Sequence, residues 1–244
     1  MTPTAIDGRR AGGPPPSGAG PTTTARQIAA GPRTLGAAVR RFYRHASPRF
    51  LTAVVLTLLA VRIAVGGASL WDVVVVAAIV AFWPVLEWLI HVFVLHSRPF
   101  AIGGRTIDLA VPRKHRAHHR DPWNLNILFI PLQGFAFSIP VLLLLSFVLL
   151  PTRELALTAA LAFLAMGLRY EWIHFLIHTP YRPRSRRYER LWRNHRLHHC
   201  KNEHYWFGVS MLSGDRLLGT QPRVRDVPTS PTCRALEEAG RSGA

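Results

Sequence analysis

Cysteine is scarce in this chain, which has only Cys200 and Cys233 among its 244 residues. The two do not stand at the spacing of a metal site or a redox motif, so a disulfide framework and a cysteine-based zinc site are excluded. The chain also lacks a His-Glu-x-x-His helix, typical of one class of zinc hydrolase, and the Gly-x-Gly-x-x-Gly fingerprint of nicotinamide and flavin sites. We expect two reduced thiols that face the cytoplasm.

Acidic residues are also few, with 13 Asp and Glu against 30 Lys and Arg, although 49% of the chain is hydrophobic and the mean hydropathy is +0.14. Apolar and basic residues must therefore lie in separate segments. A basic chain can bind nucleic acid, but basic loops that flank membrane spans produce the same totals. The order of the residues favours membrane spans, and we expect no nucleic-acid partner.

Four apolar runs are long enough to cross a bilayer. They cover about residues 50–69, 70–94, 127–150 and 155–178. Residues 1–36, rich in Gly, Pro, Ala and Thr, are predicted to form a disordered arm. A membrane domain is predicted over residues 37–222 and a flexible tail over residues 223–244. The alternative is a soluble helical bundle with unusually apolar helices.

The distribution of positive charge predicts the orientation of these spans. No secretory signal precedes the first run, so the N-terminus is expected in the cytoplasm. Four spans then place residues 97–126 and the C-terminal region on the same side, and both segments are rich in Lys and Arg. The connections on the other side carry only Arg153 as a basic residue, which agrees with the positive-inside rule. Both termini and the histidine-rich segments are therefore predicted to be cytoplasmic.

Ten of the twelve histidines fall in four short boxes. Two boxes have the form His-x-x-His-His, whose histidines lie on one side of a helix, at about 0°, 300° and 40°. The other two follow about 32 and 28 Å of helix, which places them at matching depths near one face of a hydrocarbon core of about 30 Å. All ten imidazoles are predicted to converge on metal: His91, His96, His115, His118, His119, His174, His178, His195, His198 and His199.

An internal repeat indicates two metal ions. Each half of the chain supplies five of these histidines, and five nitrogens for each of two ions leave room for oxygen ligands, which suits an iron-like centre. His91 and His96 lie about 140° apart on an ideal helix, so the helix must end or bulge between them. Outside the boxes, His45 is not expected to bind metal, and a role for His204 at the rim of the site stays open.

Two carboxylates precede box histidines on otherwise apolar helices. Glu87 and Glu171 each stand three or four residues before a histidine. An ionisable group at membrane depth normally has a partner or a function. Either carboxylate could orient a ligand imidazole, or pair with Arg62 or Arg169 for structure alone.

The ordered boxes resemble those of the fatty acid hydroxylase and sterol desaturase superfamily of integral membrane di-iron oxygenases. The resemblance covers residues 70–220, including segments 207–210 and 215–220. It implies an all-α fold of four transmembrane helices in two hairpins, with a helical cytoplasmic cap that holds a dimetal site. It also implies that the ten box histidines hold two Fe ions, for which zinc can substitute in isolated protein. The implied activity is hydroxylation or desaturation of a lipid with O2.

Two positions depart from the superfamily pattern. Val92 stands where many members have arginine, and Gly214 where many have tryptophan, which bears on the substrate more than on the metal. Because the chain has no redox cofactor motif, an external electron donor such as a ferredoxin or a cytochrome is expected to dock on the basic segment 182–201. The alternative function is a membrane metal transporter or metal-binding protein, although transporter ligands should lie near the bilayer midplane.

Overall fold

The computed structural model describes residues 30–233, which are mostly helical. Residues 1–29 of the predicted arm and 234–244 of the predicted tail lie outside the described residues. Helix α1 (Leu35–Phe42) begins after Thr34, whose hydroxyl accepts a hydrogen bond from the Ala37 N–H. The α-helices that follow are α2 (Ala46–Val65), α3 (Leu70–Leu89), α4 (Ala110–Arg120), α5 (Leu132–Leu149), α6 (Arg153–Ile177), α7 (Arg186–Cys200) and α8 (Ser213–Leu217).

Four of these helices are long and apolar enough to cross a membrane: α2, α3 with its extension to Leu95, α5 and α6. Their surfaces carry exposed large apolar side chains such as those of Ile63, Phe137 and Leu149. A lipid-facing helix requires such a surface, because the hydrocarbon offers no partner to a polar group. The prediction of a multi-pass membrane protein is confirmed by helix length and composition.

Helix α6 is the centre of the bundle, since it packs against α2, α3 and α5. Its first turns bury the small side chains of Ala156, Ala159 and Ala160. Small residues let helices approach closely inside a membrane, where van der Waals packing replaces the hydrophobic effect as the main attraction.

A polar cluster ties three spans together at the end of the bundle far from the histidines. The Arg62 guanidinium lies 2.6 Å from an Asp72 carboxylate oxygen and donates to the Thr158 hydroxyl at 2.8 Å and to the Gly66 carbonyl at 2.5 Å. The Thr158 hydroxyl in turn donates to Asp72 at 2.5 Å. Arg62 is therefore the partner of Asp72, which contradicts the alternative that paired Arg62 with Glu87 or Glu171.

A short β-hairpin is the exception to the predicted all-α fold. Strand β1 (Phe100–Ile102) pairs antiparallel with β2 (Arg105–Ile107), with Ala101 opposite Thr106. The turn consists of Gly103 and Gly104, which have φ values of 56° and 76°. Two consecutive positive φ values are what a tight two-residue hairpin turn requires, and glycine adopts them without steric cost. The all-α prediction is thus correct for the bundle and wrong for residues 100–107.

The helix that carries the first histidine pair widens at its end. Residues Ile90–Leu95 form a π-helical turn, in which the His96 N–H donates to the His91 carbonyl at 3.1 Å. One extra residue in the turn brings positions five apart onto one side. The imidazole centroids of His91 and His96 accordingly lie 5.0 Å apart. Of the two predicted alternatives, an end or a bulge of the helix between them, the structure shows the bulge.

Residues 223–233, in the segment predicted as a flexible tail, pack back onto the end of α7. Val227 and Cys233 are buried. The Ser230 N–H donates to the Lys201 carbonyl at 2.7 Å, and the Asn202 side chain donates to the Pro228 carbonyl at 3.3 Å. The sequence of this segment has little apolar surface, so only the tertiary contacts reveal that it is attached.

Candidate metal centre

The structure brings all ten box histidines together in two groups of five. Within each group, one nitrogen from every ring lies within 4.8 Å of the others, as the ligands of one ion would. Nine of the ten residues are buried, and His96 is partly buried. The first histidine group comprises His91, His96, His115, His119 and His198, and the second comprises His118, His174, His178, His195 and His199.

Each His-x-x-His-His box divides its rings between the two groups. In α4, His115 and His119 belong to the first group and His118 to the second. In α7, His195 and His199 belong to the second group and His198 to the first. Helix geometry explains the division, because positions i and i+4 lie about 40° apart, whereas i+3 and i+4 lie about 100° apart. Each of these two boxes therefore supplies two histidines to one group and one histidine to the other.

Arg196 connects α7 to the end of α6, where the second pair of histidines lies. Its guanidinium donates to the Ile177 carbonyl at 3.0 and 3.2 Å and to the Thr179 carbonyl at 3.1 Å. It also lies over the rings of Trp192 and Trp123, at 3.9 and 4.6 Å from their centroids. These bonds satisfy carbonyls that the helix terminus leaves open, and they hold the chain on either side of His178.

Backbone carbonyls orient three rings of the first histidine group. The Phe207 carbonyl lies 2.6 Å from His91 Nδ1, the Tyr205 carbonyl 2.8 Å from His198 Nδ1, and the Cys233 carbonyl 2.9 Å from His119 Nδ1. A carbonyl only accepts, so each Nδ1 carries the proton and each Nε2 keeps its lone pair. Sequence patterns give no signal for these carbonyls, because every residue has one.

Two buried carboxylates hold the segment that presents these carbonyls. Glu87 accepts hydrogen bonds from the N–H groups of Val209 and Ser210 at 2.5 and 2.7 Å. Asp215 accepts from the N–H groups of Phe207 and Gly208 at 2.9 and 2.7 Å. Among the described contacts, Glu87 reaches no imidazole directly, so the predicted orienting role is indirect and passes through the backbone at Phe207.

The electrostatics of the site favour neutral imidazoles. Desolvation by burial, followed by the charges of neighbouring rings, lowers the pKa of the box histidines outside the spans well below the usual value. A neutral imidazole is the form that ligates metal. The Nε2 atoms of His91, His96, His174 and His198 are buried and have no hydrogen-bond partner within residues 30–233. Since buried polar atoms normally have partners, this donor set fits two metal ions.

Comparison with known proteins identifies the family. The family model described as fatty acid hydroxylase matches residues 74–220. The chain belongs to the fatty acid hydroxylase family. This family member is 24% identical over 155 residues to dihydroceramide fatty acyl 2-hydroxylase FAH2 of Arabidopsis thaliana, a match that covers 62% of this chain and 63% of that protein. The chain thus spans less than two thirds of the length of the plant relative.

A solved structure supports the same assignment. The fold is similar to that of full-length scs7p, in which only the hydroxylase domain is visible, with a TM-score of 0.62 and 25% sequence identity. The similarity covers 75% of this chain and 68% of that one. The resemblance that the histidine boxes indicated is therefore confirmed at the level of the family.

Gly214, one of the two departures from the family pattern, has a steric explanation. A Cβ atom on Gly214 would lie 2.2 Å from the Pro84 carbonyl oxygen, closer than any side chain can approach. Helix α8 therefore contacts α3 backbone to backbone, beside Trp88. In this fatty acid hydroxylase family member, a tryptophan at position 214 would push α8 away from α3.

A small cavity reaches both histidine groups in this family member. Its walls include His115 of the first group and His174 of the second. Glu171 also lines it and accepts hydrogen bonds from the Ser47 hydroxyl at 2.6 Å and the Ile130 N–H at 3.1 Å. The remaining lining is mainly apolar: Leu95, Val111, Lys114, Ile127, Leu128, Phe129, Ile130, Pro131 and Tyr170.

The two remaining histidines lie outside both groups. The His45 ring contacts that of Phe129, with centroids 4.4 Å apart, and belongs to neither group. The His204 side chain is 67% exposed and lies beside Glu203, at 3.5 Å. It is therefore at the surface, near enough to the first group that its charge contributes to lowering the pKa of His96.

Proposed function

We propose that this chain is a membrane-bound di-iron oxygenase that hydroxylates, or desaturates, a lipid with O2 and external electrons. The observation that carries the proposal is the presence of two adjacent five-histidine groups, beside a cavity lined mainly by apolar residues, at the end of a bundle of four candidate membrane spans. Family membership supports the same reaction class.

The ten box histidines would hold two Fe ions, five to each ion. When bound, an iron pair with neutral nitrogen ligands supplies the oxidising power that an unactivated C–H bond requires. The protein's own contribution is burial and position. Buried rings exclude water from the site, and the carbonyls at positions 205, 207 and 233 hold three rings in the ligating tautomer.

The cavity beside His115 and His174 is the proposed substrate site. Its apolar walls suit a hydrocarbon chain, and a chain bound there would lie beside one histidine of each group. The plant relative is named for hydroxylation of a dihydroceramide fatty acyl chain. By analogy we propose the acyl chain of a membrane lipid as the substrate of this chain.

We further propose that the four spans form two hairpins and that the polar helices α4 and α7 form a cytoplasmic cap, with both termini on the same side. The excess of basic residues in the connecting segments on that side supports this orientation. Six exposed arginines surround the start of α7 and form a basic surface: Arg182, Arg184, Arg186, Arg187, Arg190 and Arg193. We propose that this surface binds an acidic electron carrier of the ferredoxin or cytochrome type.

The test is an assay of purified protein in lipid nanodiscs, loaded anaerobically with ferrous iron and supplied with a reduced carrier, labelled O2 and a panel of acyl lipids. We expect two irons per chain and one labelled oxygen atom in a hydroxylated lipid, or water and a new double bond if the chain desaturates. His178→Ala is the matched inactive control. Metal binding without any lipid oxidation, together with metal flux in sealed vesicles, would favour a metal transporter instead.

A further inference from the structure

The two histidine groups differ in how the protein holds their rings. In the first group, His91, His119 and His198 each place Nδ1 against a backbone carbonyl at 2.6 to 2.9 Å. In the second group, Nδ1 of His118, His178, His195 and His199 has no hydrogen-bond partner among residues 30–233. The Pro122 carbonyl faces His178 but does not reach hydrogen-bond geometry.

We infer that the two metal sites are inequivalent, and that the first histidine group binds its ion more tightly because backbone carbonyls preorganise its rings. This inference rests on the proposed dimetal site but not on its activity. A carbonyl bonded to Nδ1 fixes the ring orientation, directs the Nε2 lone pair to the ion and makes the ligand more basic. Loss of such a partner typically costs tenfold to a hundredfold in metal affinity.

The carbonyls themselves are held rigidly, which is what makes them effective. Tyr205 and Phe207 flank Trp206, whose N–H donates to the Thr220 carbonyl at 2.9 Å. The Phe207 N–H is bound by Asp215, and the residues that follow are bound by Glu87. The backbone that carries the Tyr205 and Phe207 carbonyls is therefore fixed by hydrogen bonds that do not involve a metal ion.

The third carbonyl comes from a segment that we name the C-terminal strap, residues 227–233. The strap lies beyond residue 220, where the match to the family ends. The Ser230 N–H donates to the Lys201 carbonyl at 2.7 Å, and the Thr232 hydroxyl donates to the buried Glu203 carboxylate at 2.5 Å. These bonds place the Cys233 carbonyl 2.9 Å from His119 Nδ1, so the strap acts as a positioning element for that ring.

The first test measures release of metal from the intact protein, without substrate, O2 or carrier. Protein loaded with two zinc ions is exposed to a chelator, and the metal left per chain is followed by elemental analysis. We expect two phases of one ion each, with rates at least about tenfold apart. His178→Ala in the second group should keep the slow ion, and His91→Ala in the first should lose it. Release of both ions in one phase, or a slow ion that depends on His178, would overturn the inference.

The second test concerns the strap. Thr232→Val removes the bond to Glu203, and a chain that ends at residue 226 removes the strap entirely. Both should release the slow ion faster, by about tenfold for the shortened chain, while the fast ion is unchanged. Cys233→Ala is the matched control, because it keeps the carbonyl and should leave both rates as they are.

The Thr232→Val variant still tests the role of the strap if the shortened chain does not fold. An unchanged slow phase in Thr232→Val, or an equal change in Cys233→Ala, would show that the strap does not position His119. Neither test requires turnover. The two sites can therefore prove equivalent although the protein oxidises lipid, or inequivalent although it does not. Failure of this inference is thus distinguishable from failure of the proposed function.

Discussion

Glu87 illustrates at the scale of one residue why a carboxylate persists in an apolar helix. It is 4% exposed and accepts hydrogen bonds from two backbone N–H groups, the Ser210 hydroxyl and the Trp83 indole. Charge-assisted bonds of this kind offset the cost of burying the group. Its position four residues before His91 suggested a direct contact, whereas the contact passes through residues 207–210.

We predict that Glu87→Gln lowers the free energy of unfolding by about 2 to 5 kcal/mol, because one amide oxygen cannot replace two carboxylate oxygens and the amide NH2 group faces donors. Denaturation in mixed micelles measures this change. Trp83→Phe is the control, since it removes a single donor to Glu87 and should cost only about 1 to 2 kcal/mol. Equal stability of Glu87→Gln and the parent chain would contradict the assignment.

Histidine substitutions test the ligand set directly. Alanine at any of the ten box positions should abolish lipid oxidation and lower the metal content, because each ring faces one of the two groups. His45→Ala and His204→Ala should leave the metal content unchanged, since both residues lie outside the groups. Elemental analysis of each purified variant is the measurement. Full metal occupancy in several box variants would disprove their role as ligands.

At the scale of an element, the π-helical turn Ile90–Leu95 makes a distinctive prediction. Deletion of Phe93, which is 65% exposed, should convert the turn to α-helix and leave the two histidines four apart on one side. The backbone hydrogen bond between the two histidines would then join residues four apart, as in an α-helix. We therefore expect the deletion to keep two metal ions per chain.

Insertion of an alanine between Val92 and Phe93 is the opposite change. It separates His91 and His96 by six residues, which no regular helix places on one side, so about one ion per chain should be lost. The metal content of the deletion and insertion variants, measured side by side, tests both predictions. Loss of metal in the deletion and not in the insertion would show that the bulge does not serve to align the pair.

At the scale of the whole molecule, the orientation in the membrane can be tested by cysteine labelling. In a chain with Cys200 and Cys233 replaced by serine, Ala68→Cys and Pro151→Cys should react with an impermeant reagent applied outside intact cells. Arg120→Cys and Arg187→Cys should react only after lysis, because the basic segments are expected in the cytoplasm. The reverse pattern would invert the orientation.

The basic surface at the start of α7 leads to a prediction about electron supply. Arg186→Glu with Arg187→Glu should raise the apparent KM for a reduced acidic carrier by roughly tenfold at low salt, and the effect should fade as salt is added. Arg153→Glu is the control, because Arg153 is 72% exposed but lies at the opposite end of α6. Sustained turnover with NADH or NADPH and no other protein would contradict the need for a carrier.

The sequence by itself determined where the four candidate spans lie and which ten histidines gather, because hydropathy and helical spacing are local properties. It also determined that the helix must end or bulge between His91 and His96, since an α-helix cannot align residues five apart; the structure shows which of the two occurs. The hairpin at residues 100–107 was missed, although its two glycines are a turn signal, because the strands they join are only three residues long.

Only the tertiary structure decided how the histidines are shared between the two groups. Spacing within each box sets His118 and His198 apart from the other two rings of their box, but which group each of them joins depends on the relative position of α4 and α7. The carbonyls of Phe207, Tyr205 and Cys233 are equally invisible in the sequence, because a backbone atom acquires a role only when folding places it beside an imidazole. The identity of the donors is thus local information, and their division and orientation are set by packing.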